Sequence, residues 1–452
     1  MSLSISDQEQ LLTGWGRTCP SLARVQACTS TEEVQQEVRS AGARGVLARG
    51  LGRSYGDAAQ SGGGTVLDLR AFDQISYDPT LGTVTAGAGA SLDSVMKAIV
   101  PKGAFVPVTP GTRMVTVGGA IGSDVHGKNH HVDGTFGAHV QALTLVDGSG
   151  EVRELRPEGN TASQFWATVG GMGLTGIITH ATFDVIPVTS SLISVDTQRA
   201  NDLDEVMSAM VAGDDKYRYT VAWIDTVSQS ARGVITSGDH APIDQLSAKQ
   251  RSQGLTFEPK AIATAPPIFP SGLLNKLTVR AFNEAWFRKA PKSQSGDLQS
   301  IGAFFHPLDG VQDWNRIYGP RGFLQYQCVV PDSASNLIRV ALDKLRLVGA
   351  PSFLTVLKRF GPANPAPLSF PQQGWTLAAD VPAGIEGLGQ ALDELDELIA
   401  DAGGRLYLAK DSRQAPQMFA RTYPRLGEWQ QVRDELDPRG VFTSDLARRL
   451  SI

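Results

Sequence analysis

Arg49-Gly-Leu-Gly-Arg-Ser-Tyr-Gly-Asp57 is the stretch on which the fold turns. Gly50, Gly52 and Gly56 stop any helix or strand from running through it and let backbone approach a ligand closely. Consecutive N–H groups in such a loop form an anion nest, here flanked by the guanidiniums of Arg49 and Arg53. By letter, Gly52-Arg-Ser54-Tyr-Gly56 also matches the GxSxG nucleophile elbow, which needs a helix directly behind it. The chain continues DAAQSGGG, which supplies none, so a serine hydrolase is the lesser alternative.

Working outward, residues 30–40 (STEEVQQEVRS) predict a capped helix with Val34 and Val38 on one face. A short strand at Gly45–Ala48 leads into the glycine loop. Beyond it, Thr65–Leu69, Gln74–Tyr77 and Thr83–Ala86 have strand character, and Ala90–Val100 is a second amphipathic helix. Val140–Val146 and Val152–Leu155 predict a hairpin about Asp147-Gly148, and Ile177–Ile186 a strand that stops at Pro187. Near residue 190 the texture changes. Tyr217–Asp225, Phe323–Val330 and Ser352–Lys358 alternate and are aromatic-rich, as in an open sheet with one buried face, with helices such as Ser335–Leu347 between them. Residues 258–298 show weak periodicity and many Pro, Ser, Lys and Gln residues, the mark of a functional or mobile segment. The fold class is α+β.

Composition narrows the function. At 452 residues the chain has room for two or three domains, and 41 Lys+Arg against 46 Asp+Glu (net −5) offers no basic excess for nucleic acid. The cysteines, Cys19, Cys28 and Cys328, form no CxxC pair. MSLSISDQEQLL lacks a signal-peptide pattern, and the longest uncharged stretch, Gly159–Phe183, is too glycine-rich for a membrane span, so a cytoplasmic or peripheral-membrane protein is expected. Gly171-Met-Gly173-Leu-Thr-Gly176 matches GxGxxG, but IITHATFDVI behind it is β-branched and alternating, so the required helix is missing. In His126-Gly-Lys-Asn-His130-His131, Gly127 and Asn129 favour a loop and no Glu intervenes; imidazole in a structural or catalytic role fits better than a metal site.

Taken together, three glycine clusters in order are informative: RGLGRSYGD, then PGT…TVGGAI…HGK, then FWATVGGMGLTGII. This order resembles the FAD-binding domain of the vanillyl-alcohol oxidase type. Within that type the chain resembles most the flavoprotein oxidases of decaprenylphosphoryl-ribose 2′-epimerisation, which serve cell-wall arabinan synthesis. HGKNHH, FHPLD, WNRIYGPRGFLQYQ, APLSFPQQGW, GGRLYLAKDSR and SDLARRL carry the likeness over nearly the whole chain.

The resemblance implies a split FAD domain, residues 1–190 and 405–452, around an antiparallel-sheet substrate domain, 191–404, with 258–298 as a mobile lid over the polyprenyl chain. It implies oxidation of the 2′-hydroxyl of a polyprenyl-phosphoryl ribose to a ketone, with a separate NADH-dependent reductase completing the epimerisation. FAD would lie along Arg49, Gly50, Leu51, Gly52, Arg53, Ser54, Tyr55, Gly56 and Asp57. Gly111, Thr116, Val117, Gly118, Gly119, Ser123, Asp124 and His126 would continue the site, and Gly176, Ile177, Ile178 and Tyr407 would complete it. Arg53 stands where many relatives carry the histidine that tethers flavin, so non-covalent FAD is expected.

On the substrate side the expected residues are Lys128, Trp223, Gln325, Gln327, Lys358, Ala378 and Lys410. Gln325 and Gln327 alternate onto one strand face and suit sugar hydroxyls, while Tyr326 points to the core. Lys358 suits the phosphate or is an exposed strand lysine, and Trp223 packs beside the sugar or in the core. Ala378 replaces the family's usual cysteine, so that thiol is not required for turnover. Lys410 and His126 are the candidate catalytic groups: His126 near its ordinary pKa of about 6.5, Lys410 once burial lowers its own, the alternative being that Lys410 stays charged and stabilises anionic reduced flavin or binds a substrate oxygen. Another sugar or aldonolactone oxidase of the same fold is the alternative.

Overall fold

A computed structural model describes residues 8–252, 254–270 and 272–452. The first helix is Thr31–Arg39; Ser30 caps it by accepting the Glu33 N–H, and Val34 and Val38 are buried. The strand Val46–Arg49 then carries the chain into the glycine loop. It pairs in parallel with Thr65–Asp68, which pairs in parallel with Ser21–Ala27, and Gln8–Leu12 adds antiparallel at the edge.

A second sheet of five antiparallel strands follows, in the order Ile75–Asp78, Thr83–Gly87, Ile177–Asp184, Val140–Val146, Val152–Leu155. The last two form the expected hairpin, with Asp147 Oδ1 accepting the N–H groups of Ser149 and Glu151. The segment behind Gly171–Gly176 is therefore a central strand, not a dinucleotide-binding helix. Helices Leu92–Ile99 and Val117–Gly122 pack on this sheet through one apolar core.

The third sheet is antiparallel and eight-stranded: Ser293–Ser300, Leu192–Ala200, Gly233–His240, Tyr219–Ile224, Thr355–Phe360, Gly374–Pro382, Phe323–Val330, Arg405–Leu406. Helices Leu203–Gly213, Asn336–Leu347 and Leu388–Asp401 cover one face, where Tyr326, Leu357 and Leu377 lie in a shared core. Because side chains alternate along a strand, Gln325, Gln327, Val356, Lys358 and Trp223 all face the other way.

Two stretches hold more regular structure than their sequences announce. Residues 258–298 hold a helix, Lys276–Lys289, closed by an Asn275/Thr278 capping box, and the start of the edge strand Ser293–Ser300. Neither announces itself locally: the helix buries only Val279, Asn283 and Phe287, and the strand SQSGDLQS forms because Leu192–Ala200 pairs with it. The His126–His131 stretch is a loop only as far as Asn129, and His130–Asp133 forms one helical turn. Among the described residues there is no metal-ligating cluster, and no helix is long and apolar enough to cross a membrane.

Candidate active site

Between the glycine loops and the open face of the large sheet lies a cavity of about 960 Å³. Arg49 through Tyr55 form one wall, Gly111, Thr116, Gly118, Gly119 and Ser123 a second, and Gly176, Ile178 and Tyr407 contribute beside them. The floor is the sheet. Register sets its centre: Ala378 lies opposite Gln327 on one side and Val356 on the other, and Val356 lies opposite Trp223. Lys128, Gln325, Lys358 and Lys410 complete the lining from the substrate set.

The C-terminal segment locks this arrangement. Arg405–Leu406 extends the sheet beside Cys328 and Val329, and the turn after it brings Tyr407 and Lys410 to the cavity. Tyr407 donates its hydroxyl to the Ser123 carbonyl (2.8 Å), and the Tyr55 N–H donates to the Ala409 carbonyl (2.9 Å). At Gly56 a Cβ would stand 1.9 Å from the Asp411 carbonyl oxygen, so only glycine allows the two segments to meet.

Five residues of the expected cofactor set lie outside the cavity lining. Gly56 is taken up by that close approach. Asp57 is bonded to Arg449 (2.7 and 2.8 Å), which also reaches Asp411 (2.9 Å). Val117 and Ile177 are fully buried in apolar cores. Asp124 accepts from Ser369, Asn364 and the Gly137 N–H inside the protein. The two guanidiniums also differ from expectation. Arg49 donates to the Thr13 (2.9 Å) and Ala59 carbonyls, and Arg53 donates to the Leu51 carbonyl (2.7 Å) and lies 4.2 Å over the Trp15 ring. Both line the cavity, yet their first work is to hold the loop. Ser54 Oγ bonds to no histidine among the described residues, and no helix follows it, so the elbow reading fails.

The polar centre is more telling. Gln327 Nε2 donates to His126 Nε2 (3.1 Å), which leaves the imidazole proton on Nδ1. Nδ1 is buried and has no partner among the described residues. Burial, with Lys358, His130 and Lys410 nearby, holds the His126 pKa well below its ordinary value. His126 is thus a neutral donor with its lone pair occupied, not a base near pKa 6.5. Desolvation likewise pulls Lys128 down to about 7 and Lys358 down to about 8. Lys128 donates to the Phe304 carbonyl and sits 4.2 Å over the Phe304 ring.

Lys410 Nζ stands 3.7 Å over the Tyr55 ring. Desolvation lowers its pKa, Asp380 opposes that fall, and Lys358 adds to it. Asp380 was not singled out from the sequence. Its side chain is fully buried, Gln325 donates to its Oδ1, and its Oδ2 has no partner among the described residues. Burial pushes its carboxyl up, against Gln325 and Lys410. A lone Asp behind Trp375-Thr-Leu-Ala-Ala379 carries no local signal; it is the register Gln325↔Asp380 that places it in the site.

A flat cofactor with a pyrophosphate fits these walls. Among the described residues the N–H groups of Gly52, Arg53 and Ser54 have no protein acceptor, as an anion nest requires. A Cβ at Gly111 would meet no atom within 4 Å and would project into open space. His126 Nδ1 offers a buried, unpaired donor. FAD would be held by the loop amides and by the glycine-lined wall.

Comparison with known proteins agrees with that chemistry. The family described as FAD binding domain matches residues 22–156, and that described as D-arabinono-1,4-lactone oxidase matches residues 388–450. The chain is 46% identical over 449 residues to decaprenylphosphoryl-β-D-ribose oxidase of Mycolicibacterium smegmatis, covering 98% of this chain and 97% of that one. It is 37% identical to an uncharacterised protein from the mprA 5′ region of Streptomyces coelicolor, covering 80% of this chain and 100% of the other. L-gulono-1,4-lactone dehydrogenase of Mycobacterium tuberculosis is 21% identical, over 93% and 94% of the two chains.

Proposed function

Because the chain belongs to the family of FAD-dependent oxidoreductases that includes decaprenylphosphoryl-β-D-ribose oxidase, we propose that it oxidises the 2′-hydroxyl of decaprenylphosphoryl-β-D-ribose to a ketone. Bound FAD supplies the acceptor for the hydride on C2′. The chain's own task is to orient the sugar and to take the hydroxyl proton.

The observation that carries this reading is the convergence of Lys128, Lys358 and Lys410 on one cavity together with Gln325 and Gln327. Two cations meet the phosphate, the amides meet sugar hydroxyls, and Lys410 accepts the proton. Lys410 suits that task because desolvation lowers its pKa, whereas His126 has its lone pair held by Gln327. His126 Nδ1–H serves instead as a fixed donor to the cofactor. Ala378 leaves the floor beneath the sugar open.

In this reading residues 1–190 and 405–452 bind FAD and residues 191–404 bind substrate. FAD is held without a covalent tether, since Arg53 occupies the tethering position and none of the cysteines lines the cavity. The ketone passes to a separate NADH-dependent reductase, and the lipid carrier brings the enzyme to a membrane. Lys410→Met tests the assignment. FAD should stay bound, while single-turnover flavin reduction at saturating substrate falls by at least about 10²-fold, as for loss of an acid–base group. A near-normal rate would remove Lys410 from the chemistry.

A further inference from the structure

The mouth of the cavity carries an unusual rim. Ile262 is 90% exposed, Phe282 46%, Trp286 44% and Val311 39%. Trp286 and Val311 line the cavity itself, and Phe282 stacks on Trp286 with ring centroids 6.1 Å apart. The Ile262 N–H donates to the Gly310 carbonyl (2.7 Å), which seats Ile262 beside Val311. Apolar side chains gathered at one opening mark a contact surface.

The charges on the rim say with what. Lys289 lines the mouth, Lys260 sits between the lining residues Pro259 and Ala261, and Lys292 follows the lining residue Pro291. All three lysines are exposed and, among the described residues, none has an ion-pair partner. Against exposed Glu258, next to the lining residue Pro259, the three lysines still leave the rim net positive on a chain of net charge −5. Lysines flanking Trp, Phe and Ile are the composition of an interfacial membrane contact.

We propose that this rim docks on an anionic bilayer, with Ile262, Phe282 and Trp286 in the interface and Lys260, Lys289 and Lys292 against lipid phosphates. The inference rests on the polyprenyl-phosphate reading and gives it a route. A cavity of about 960 Å³ that holds FAD and a sugar phosphate has no room for a decaprenyl chain, so the chain must leave through the mouth. With the mouth on the bilayer, the headgroup enters while the tail stays in lipid.

The test is sedimentation of FAD-loaded protein with vesicles of equal parts phosphatidylglycerol and phosphatidylcholine, against pure phosphatidylcholine. The protein should pellet with the anionic vesicles only, and less so as salt rises. At about 1 kcal/mol, or roughly fivefold, per lysine near such a surface, Lys260→Glu with Lys292→Glu should lower partitioning at least about tenfold. Ile262→Glu, at a position too exposed to matter for folding, should lower it as well. Wild type remaining in the supernatant, or variants that pellet like wild type, would overturn the proposal. So would a dimer that Ile262→Glu splits into monomers, which would make the rim a contact between copies. Flavin bleaching by detergent-solubilised polyprenyl-phosphoryl ribose, measured alongside, separates the two ideas. Bleaching without vesicle binding faults the docking alone, and vesicle binding without bleaching faults the substrate reading.

Discussion

Replacing Asp380 by asparagine removes a carboxylate that burial, pushing its pKa up to about 7, leaves only partly ionised near neutral pH, and little else. The side-chain oxygen that accepts from Gln325 is retained, and the fully buried site keeps its shape. What changes is the field at Lys410, whose pKa desolvation lowers and Asp380 raises. Two unit charges about 4 Å apart interact by roughly 4 kcal/mol at an effective dielectric of about 20. No direct ion pair joins these two, so that figure is a ceiling. At about 1.36 kcal/mol per pKa unit it corresponds to about three units. Asp380→Asn should therefore lower the Lys410 pKa by roughly one to three units. The sign follows: a base of lower pKa is already neutral at lower pH. The acid limb of the pH–rate profile for single-turnover flavin reduction moves to lower pH, and the plateau falls because the base is weaker. Stopped-flow absorbance at saturating substrate reads both. FAD content and Tm should be unchanged. An acid limb that stays in place in the folded, FAD-loaded variant would refute the coupling.

Two more outcomes follow from the same site. Ala378 faces the cavity between Gln327 and Val356, so Ala378→Phe should fill the sugar's place and lower kcat/KM by at least about tenfold while FAD binding persists. Lys128 and Lys358, lowered to about 7 and about 8, lose their charge in the free enzyme as pH rises through those values. Affinity for the phosphate headgroup is then full only below about pH 6, and the substrate Kd, read by equilibrium titration, rises between about pH 6 and 9; a flat Kd over that range would place the phosphate elsewhere.

What was legible in the sequence is what short-range chemistry dictates. The glycine loop, the Ser30 cap and the Asp147-Gly148 hairpin each follow from backbone geometry within a few residues, and all three stand in the fold. Alternation alone put Gln325 and Gln327 on one face and Tyr326 in the core, where its hydroxyl donates to Asp396 (3.0 Å). Lys410 came from a family motif, not from spacing. The misses are tertiary. Arg49 and Arg53 are held by Thr13, Ala59 and Trp15, and nothing near residue 50 forecasts those partners. Asp57 is spent on Arg449, almost four hundred residues away. The edge strand Ser293–Ser300 has no β-branched residue and exists because a neighbour pairs with it.

FAD held in this cavity takes hydride from C2′ of a lipid-phosphate ribose. Anaerobic mixing of the FAD-loaded protein with polyprenyl-phosphoryl ribose, its 2′-deoxy analogue and L-gulono-1,4-lactone tests it most directly. Rapid loss of flavin absorbance with the ribose alone is expected, with one equivalent of 2′-keto sugar per flavin. Equal bleaching by the lactone, or bleaching by the 2′-deoxy compound, would contradict it.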